Sequence, residues 1–247
     1  MNTKIFSLIE KNLKTAFRLP RLAAHAENIT GDTVISALPW TPARFRKFCE
    51  SIEQELNLDS SFQGTIEQIV DDLDRRYSLR FFGEIWKPHT DDYTFTGWQL
   101  ADQINSTNPR CVLDVGCGYN QFKSRIPNLI GIDPYNNCAD YQIDILDYRV
   151  NMGQHDHIIA LGSINFNSRS DVEARFKRCV DLLEPQGKLW MRVNPGIPHR
   201  HGPYVDIFPW SFDVAYEFAE QFGLRLETLK RDQSRLFMAY TKSAISG

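Results

Sequence analysis

The sequence has no CxxC pair. Its five cysteines, at 49, 111, 117, 138 and 179, are odd in number and widely spaced, which argues against a disulfide framework or a zinc ribbon and for a reducing compartment. No apolar run approaches the ~18 residues of a membrane span. The N-terminal stretch carries Lys4, Glu10, Lys11 and Lys14, charges too frequent for a signal-peptide core. Neither sign of charge dominates. The 28 basic and 31 acidic side chains leave −3 over 247 residues, which excludes a strongly cationic nucleic-acid binder at the level of the whole chain. There is no internal repeat and no low-complexity segment. The composition is otherwise that of an ordinary globular protein, 42% hydrophobic and 24% charged, and the expectation is a cytoplasmic protein with no membrane association.

Apolar periodicity divides the chain in two. Ile5, Leu8, Ile9, Leu13, Ala16 and Phe17 recur at helical spacing, as do Phe45, Phe48, Cys49, Ile52 and Leu56 after the cap-like Thr41-Pro42. Ile66, Ile69, Val70, Leu73 and Tyr77 make a third set after Gly64-Thr65. Residues 1–87 therefore read as a helical extension, electrically balanced with 12 Lys/Arg and 12 Asp/Glu.

From residue 88 to 247 the pattern changes. A short helix, Trp98 to Ile104, leads into the apolar run 111–115. Six further strand-like segments come after it: Leu129–Ile132, Tyr141–Ile145, His157–Leu161, Lys188–Val193, Arg225–Leu229 and Leu236–Tyr240. Ser170 and Glu173 suggest a capping box, and Gly223 stops a helix over 212–222. Alternation of this kind predicts a doubly wound α/β domain.

Chemistry concentrates in Val112-Leu113-Asp114-Val115-Gly116-Cys117-Gly118-Tyr119-Asn120. A strand ending in D-x-G-x-G must turn sharply, and the missing β-carbons let a ligand lie against the main chain at the carboxyl edge of the sheet. Nineteen positions past Asp114 the next strand ends in Asp133, a carboxylate suited to ribose hydroxyls. The third ends at Asp144-Ile145, an acid and an apolar residue suited to an adenine. A nucleoside-containing ligand accounts for the three strand ends together. Blander roles stay open: Asp133 before Pro134 also suits a turn, and Asp144, with Asp147 close by, a helix cap. The dinucleotide fingerprint wants a third glycine where Gln121 stands, which disfavours an NAD-type oxidoreductase.

The D-x-G-x-G loop resembles the first motif of class I S-adenosylmethionine-dependent methyltransferases. Asp133 fits that family's ribose-binding acid, Asp144 its adenine-contacting acid, and Gly162-Ser163 the end of its fourth strand. Residues 182–189 resemble its turn into the fifth strand, and 235–240 its terminal antiparallel strand. The resemblance implies a mostly parallel seven-stranded sheet with a C-terminal antiparallel strand, and S-adenosylmethionine as cofactor. It implies a cofactor site of Asp114, Gly116, Cys117, Gly118, Asn120, Asp133, Pro134, Asp144, Ile145, Gly162 and Ser163. Asp114 is expected to orient the loop and Cys117 to contribute backbone. Asn120 stands where the family often has a third glycine, and asparagine tolerates left-handed angles.

Methyl transfer needs alignment first and a base only where the acceptor must lose a proton. The stiff stretch 194–210, with prolines at 195, 198, 203 and 209, suits a wall over the methyl group, and its His199 and His201 are the candidate general bases. Arg192 suits an anionic acceptor or a neighbouring acid. Trp86, His89, Tyr93, Phe95 and Trp98 suit a roof on which a planar acceptor stacks. His155 and His157 form an H-x-H pair with no third ligand in view, so no metal is expected. The Pro-Pro-aromatic motif of amino-methylating DNA enzymes and the Pro-Cys pair of cytosine-carbon enzymes are both absent. The expected acceptor is a small molecule or a modified polymer unit, with the helical extension as acceptor or cap domain. The alternative is a non-catalytic nucleoside-cofactor-binding protein that holds a partner through its helices.

Overall fold

Strands form where β-branched and aliphatic residues alternate between two buried faces, and the computed structural model shows both faces filled. It describes residues 7–9, 11, 42–58, 62–80, 82–83, 86–87, 95–195 and 207–244. These fall into two compact units, divided after residue 81.

In the first unit, residues 7–9 and 11 are helical, and the rest of the expected first helix lies outside the described residues. α1 (Pro42–Leu56) and α2 (Ile66–Arg80) pack on each other. Their buried residues are Cys49, Ile52 and Leu56 from one helix and Ile66, Ile69 and Leu73 from the other, a stripe at three- and four-residue spacing. Thr65 and Gln68 cap α2 reciprocally: the Thr65 N–H donates to Gln68 Oε1 at 2.8 Å and the Gln68 N–H to Thr65 Oγ1 at 3.4 Å. The Arg76 guanidinium donates back to the Glu55 carbonyl of α1.

The second unit runs α3 (Trp98–Asn105), β1 (Val112–Val115), a 3-10 turn (Gln121–Ser124), β2 (Leu129–Ile132), β3 (His155–Leu161), α4 (Arg169–Leu182), β4 (Leu183–Val193), α5 (Phe212–Gln221), β5 (Leu224–Asp232) and β6 (Arg235–Lys242). The sheet order is β2-β1-β3-β4-β6-β5, parallel from β2 to β4, with β6 antiparallel to both its neighbours. Adjacent residues face opposite cores. Leu113, Ile158, Leu189, Met191 and Met238 join Phe176, Trp210 and Phe218 under α4 and α5, while Val112, Ile159, Trp190 and Phe237 join Leu100 and Ile104 of α3.

Three expectations need correcting. Among the described residues the sheet has six strands, not seven. Tyr141–Ile145 makes a single bridge, Ile132 to Tyr141, and then leaves the edge of β2. Side chains supply the reason. The Asp140 carboxylate takes the Gly131 N–H at 2.7 Å and Asp144 Oδ1 takes the Leu146 N–H at 2.9 Å, so turns satisfy backbone groups that a ladder would otherwise pair. The capping box of α4 is Ser168 with Asp171, not Ser170 with Glu173, because Ser168 is the residue with extended backbone ahead of the first turn. Finally, β3 begins at His155 and β4 at Leu183, both earlier than the apolar runs indicate. Gly223 ends α5 as expected, in the left-handed region at φ +64°.

Candidate functional site

β1 has β2 on one side and β3 on the other, so the connections leaving β1 and β3 diverge and open a crevice at their carboxyl ends. The loop after β1 lies in that crevice. Gly116, Gly118 and Asn120 have φ of +68°, +54° and +53°, and Asn120 (ψ 39°) takes the left-handed turn that a third glycine would otherwise make. The Gly116 and Cys117 N–H groups donate to the Ile132 carbonyl at 2.8 and 3.1 Å, stitching the loop to the end of β2. A β-carbon on Gly116 would stand 2.3 Å from Ser163 Cβ, so only glycine lets the ends of β1 and β3 approach this closely.

Asp133 is buried and its carboxylate is busy. Oδ2 accepts the Gly118 N–H at 2.9 Å, and Oδ1 accepts the Tyr135 and Asn136 N–H groups at 2.7 and 2.9 Å. A carboxylate has about four lone-pair sites. One remains, on Oδ2, so Asp133 holds the loop in shape and has room for one further donor. Pro134, half-buried, starts the bend that Asp133 closes.

Burial, and after it the charge of Asp133, pushes the Asp114 carboxyl up to about 7. Burial and then Asp114 push the Cys117 thiol up as well. It stays protonated at neutral pH.

Sequence reasoning passed over Asp140. Its Oδ2 gathers the Gly131 N–H, Lys123 Nζ at 2.9 Å and Asn120 Nδ2 at 3.5 Å. Burial would raise its pKa, but the Gly131 N–H and the Lys123 ammonium outweigh burial and hold it below the usual carboxylate value. The available signal was Gly131, a glycine inside a strand, which marks a close approach. A β-carbon there would stand 2.4 Å from Asn120 Oδ1 and 2.9 Å from Cys117 Sγ.

At the end of β3, Gly162 (φ +95°) has nothing within 4 Å of its β-carbon position. Ser163 Oγ is buried with no hydrogen-bond partner, and so are Asn120 Oδ1 in the loop and Asn194 Oδ1 just past β4. Asn165 accepts the Asn194 N–H on its Oδ1 at 2.9 Å and ties the β3 and β4 ends together. The three orphaned oxygens lie near the carboxyl ends of β1, β3 and β4.

Asp144 and Ile145 are placed differently from the rest. Arg175 of α4 grips Asp144 Oδ2 through Nε and Nη2 at 3.2 and 3.0 Å, and Ile145, 3% exposed, belongs to the core. The acid tethers its loop to α4, and the aliphatic side chain has little surface to offer. Arg192 is paired with buried Asp232 at 3.3 Å, which also accepts from Thr96 Oγ1 at 3.0 Å.

The aromatics divide. Trp86 lies on Gly118, whereas Phe95 stacks on Phe237 and Trp98 meets Phe122, on the α3 face. His157 is structural. The Trp190 indole N–H donates to its Nδ1 at 3.1 Å, which puts the ring proton on Nε2, 2.8 Å from Thr107 Oγ1. His155 Nδ1 meets Cys111 Sγ at 3.1 Å. Among the described residues no group of three or more His, Cys, Asp or Glu is placed to hold a metal ion, and no helix is long and apolar enough to cross a membrane. His199 and His201, with His89 and Tyr93, lie outside the described residues.

No family model matches the chain, and no curated protein matches it in sequence. Solved structures do. The 1,6-didemethyltoxoflavin-N1-methyltransferase of Burkholderia thailandensis, bound to 1,6-didemethyltoxoflavin and S-adenosylhomocysteine, superposes with a TM-score of 0.55 at 12% identity, over 75% of this chain and 93% of its own. Looser likenesses include an S-adenosylmethionine-dependent methyltransferase of Listeria monocytogenes (TM-score 0.45, 12% identity, 59% of this chain and 97% of that one). The N-methyltransferase NodS of Bradyrhizobium japonicum is another (0.44, 14%, 59% and 93%). Over the three-quarters covered by the first of these, the chain has the fold of class I S-adenosylmethionine-dependent methyltransferases.

Proposed function

We propose that the protein is an S-adenosylmethionine-dependent methyltransferase acting on a small molecule or a modified polymer unit. The observation that carries this reading is the glycine loop at the divergence of β1 and β3, with Ser163 Oγ orphaned beside it. The residues present fit the cofactor: Gly162 leaves an open face at the end of β3, Asp133 keeps one acceptor site, and Ser163 and Asn194 each hold an unmatched oxygen. A bound cofactor of this kind brings a methyl group on a sulfonium sulfur, open to direct displacement.

In this reading Asp114, Cys117 and Asn120 shape the loop, and Asp133 fixes its height above β2. Pro134 turns the chain beside the ribose subsite. Asp144 and Ile145 border the adenine side through backbone and packing. Gly162 leaves room at the end of β3, and Ser163 donates or accepts there. Alignment is the main catalytic contribution. His199 and His201 are proposed as bases for acceptors that must lose a proton. Residues 1–87 are proposed as the acceptor or cap domain and 88–247 as the cofactor domain, with Phe82, Trp86 and Lys87 falling in the second compact unit. The 1,6-didemethyltoxoflavin bound by the Burkholderia enzyme supports a small-molecule acceptor here. All five cysteines are free thiols, which supports the cytoplasm as the compartment.

The test is turnover. Incubation with methyl-labelled S-adenosylmethionine and a panel of small nucleophiles should yield S-adenosylhomocysteine only with a competent acceptor. Tight cofactor binding with no turnover on any acceptor would favour a non-catalytic binding protein.

A further inference from the structure

Bare glycine faces let a ligand lie on a loop, yet two of the three at this crevice are covered by the chain itself. Gly116 meets Ser163. At Gly118, Trp86 Cζ3 stands 2.9 Å from the β-carbon position, with Cη2 at 3.6 Å and Cε3 at 3.8 Å. The six-membered ring of the indole therefore lies against the loop backbone. A ligand atom in contact with Gly118 from that side needs ~3.5–4 Å to each indole carbon, and that space is taken. The Gly118 N–H is also engaged, by Asp133.

Trp86 does not stand alone there. Lys87 Nζ reaches Tyr119 Oη of the same loop at 2.5 Å and lies 4.8 Å from its ring centroid. Phe82 stacks on Tyr135, two residues past Asp133, with centroids 5.2 Å apart and planes 15° apart. It also meets Phe166, three residues past Ser163, edge-on at 5.1 Å. All four rings of Phe82, Trp86, Tyr135 and Phe166 are half-buried, not core. Side chains of residues 82, 86 and 87 thus rest on the loops that leave β1, β2 and β3, the same three strand ends that make the site.

We infer that Trp86 belongs to the cofactor site and competes with the cofactor for the Gly118 face. The inference rests on the nucleoside-cofactor reading above. Cofactor reaches its place on the loop only when the indole has withdrawn, so the apparent affinity is reduced by the fraction of molecules in which the indole covers Gly118. Trp86 therefore sets how tightly cofactor is held.

The probe is S-adenosylhomocysteine, titrated into the full-length protein, Trp86→Ala and Trp86→Phe, with affinity from calorimetry and tryptophan emission followed in parallel. Trp86→Ala should bind roughly 3- to 10-fold more tightly, the scale of one aromatic contact. The wild-type emission should shift on titration, and Trp86→Phe should lose that shift while still binding, which secures the test if the alanine variant folds poorly. Equal or weaker binding by Trp86→Ala, or an emission shift that survives in Trp86→Phe, overturns the inference. If none of the three proteins binds, the cofactor reading itself fails, and this inference with it.

Discussion

Gly116 and Gly162 both have positive φ, but their surroundings differ, and that difference separates backbone strain from crowding. A β-carbon at Gly116 would sit 2.3 Å from Ser163 Cβ, while at Gly162 it would meet nothing within 4 Å. Gly162→Ala should therefore cost about 1 kcal/mol, the left-handed penalty alone. Gly116→Ala should cost about 2–4 kcal/mol, because overpacking adds to that penalty. Urea denaturation of the two variants checks the ranking, and equal losses would contradict it.

Asp133→Ala should lower stability as well as S-adenosylhomocysteine affinity, since it strands three backbone N–H groups, each costing about 1–3 kcal/mol when buried. A variant with unchanged stability would show that the carboxylate is not the loop's anchor. Asp114, raised to about 7 from an ordinary value near 3.8, acts in the opposite sense. Its contribution is whole below the unfolded pKa and is lost as pH rises to the folded one. The stability of Asp114→Asn relative to wild type should therefore climb between pH about 4 and 7 and stay flat above. A difference independent of pH would mean that Asp114 ionises as freely as in the unfolded chain. Residue identity at the strand ends was legible in the sequence: Asn120 does take the left-handed angle expected of it. The partners of Asp133 and Asp144 were not legible, because the Gly118 N–H and Arg175 lie 15 and 31 positions away and only the fold brings them together.

At the scale of elements, the strands that pack on both faces were readable and the segment that does not was misread. Tyr141–Ile145 has the apolar alternation of a strand, but Asp140 and Asp144 turn the chain with their own carboxylates, and Tyr141 is 54% exposed. Local side-chain chemistry outweighed the pattern. The cap of α4 shows the same limit: Ser168 and Ser170 both precede an acid by three residues, and sequence spacing alone does not choose between them. The hydrogen bonds do, with the Asp171 N–H donating to Ser168 Oγ at 3.2 Å and the Ser168 N–H to Asp171 Oδ2 at 3.1 Å. Ser168→Ala should cost about 1 kcal/mol in chemical denaturation, and Ser170→Ala less than about 0.5 kcal/mol. The reverse order would move the start of the helix.

For the whole molecule, the α/β architecture, the order of its motifs and the loop at the carboxyl edge were readable from the alternation of apolar runs and from D-x-G-x-G. The acceptor side was not, since the proline-rich stretch 194–210 carries no apolar periodicity to place it and one scaffold serves many chemistries. In the proposed function this loop holds a nucleoside cofactor of the S-adenosylmethionine class. Calorimetric titration of the purified protein with S-adenosylhomocysteine, against NAD as comparison, tests it most directly. The expected result is saturable binding of S-adenosylhomocysteine at one site and none of NAD. Binding of NAD alone, or of neither, would contradict it and leave the glycine loop as a structural turn.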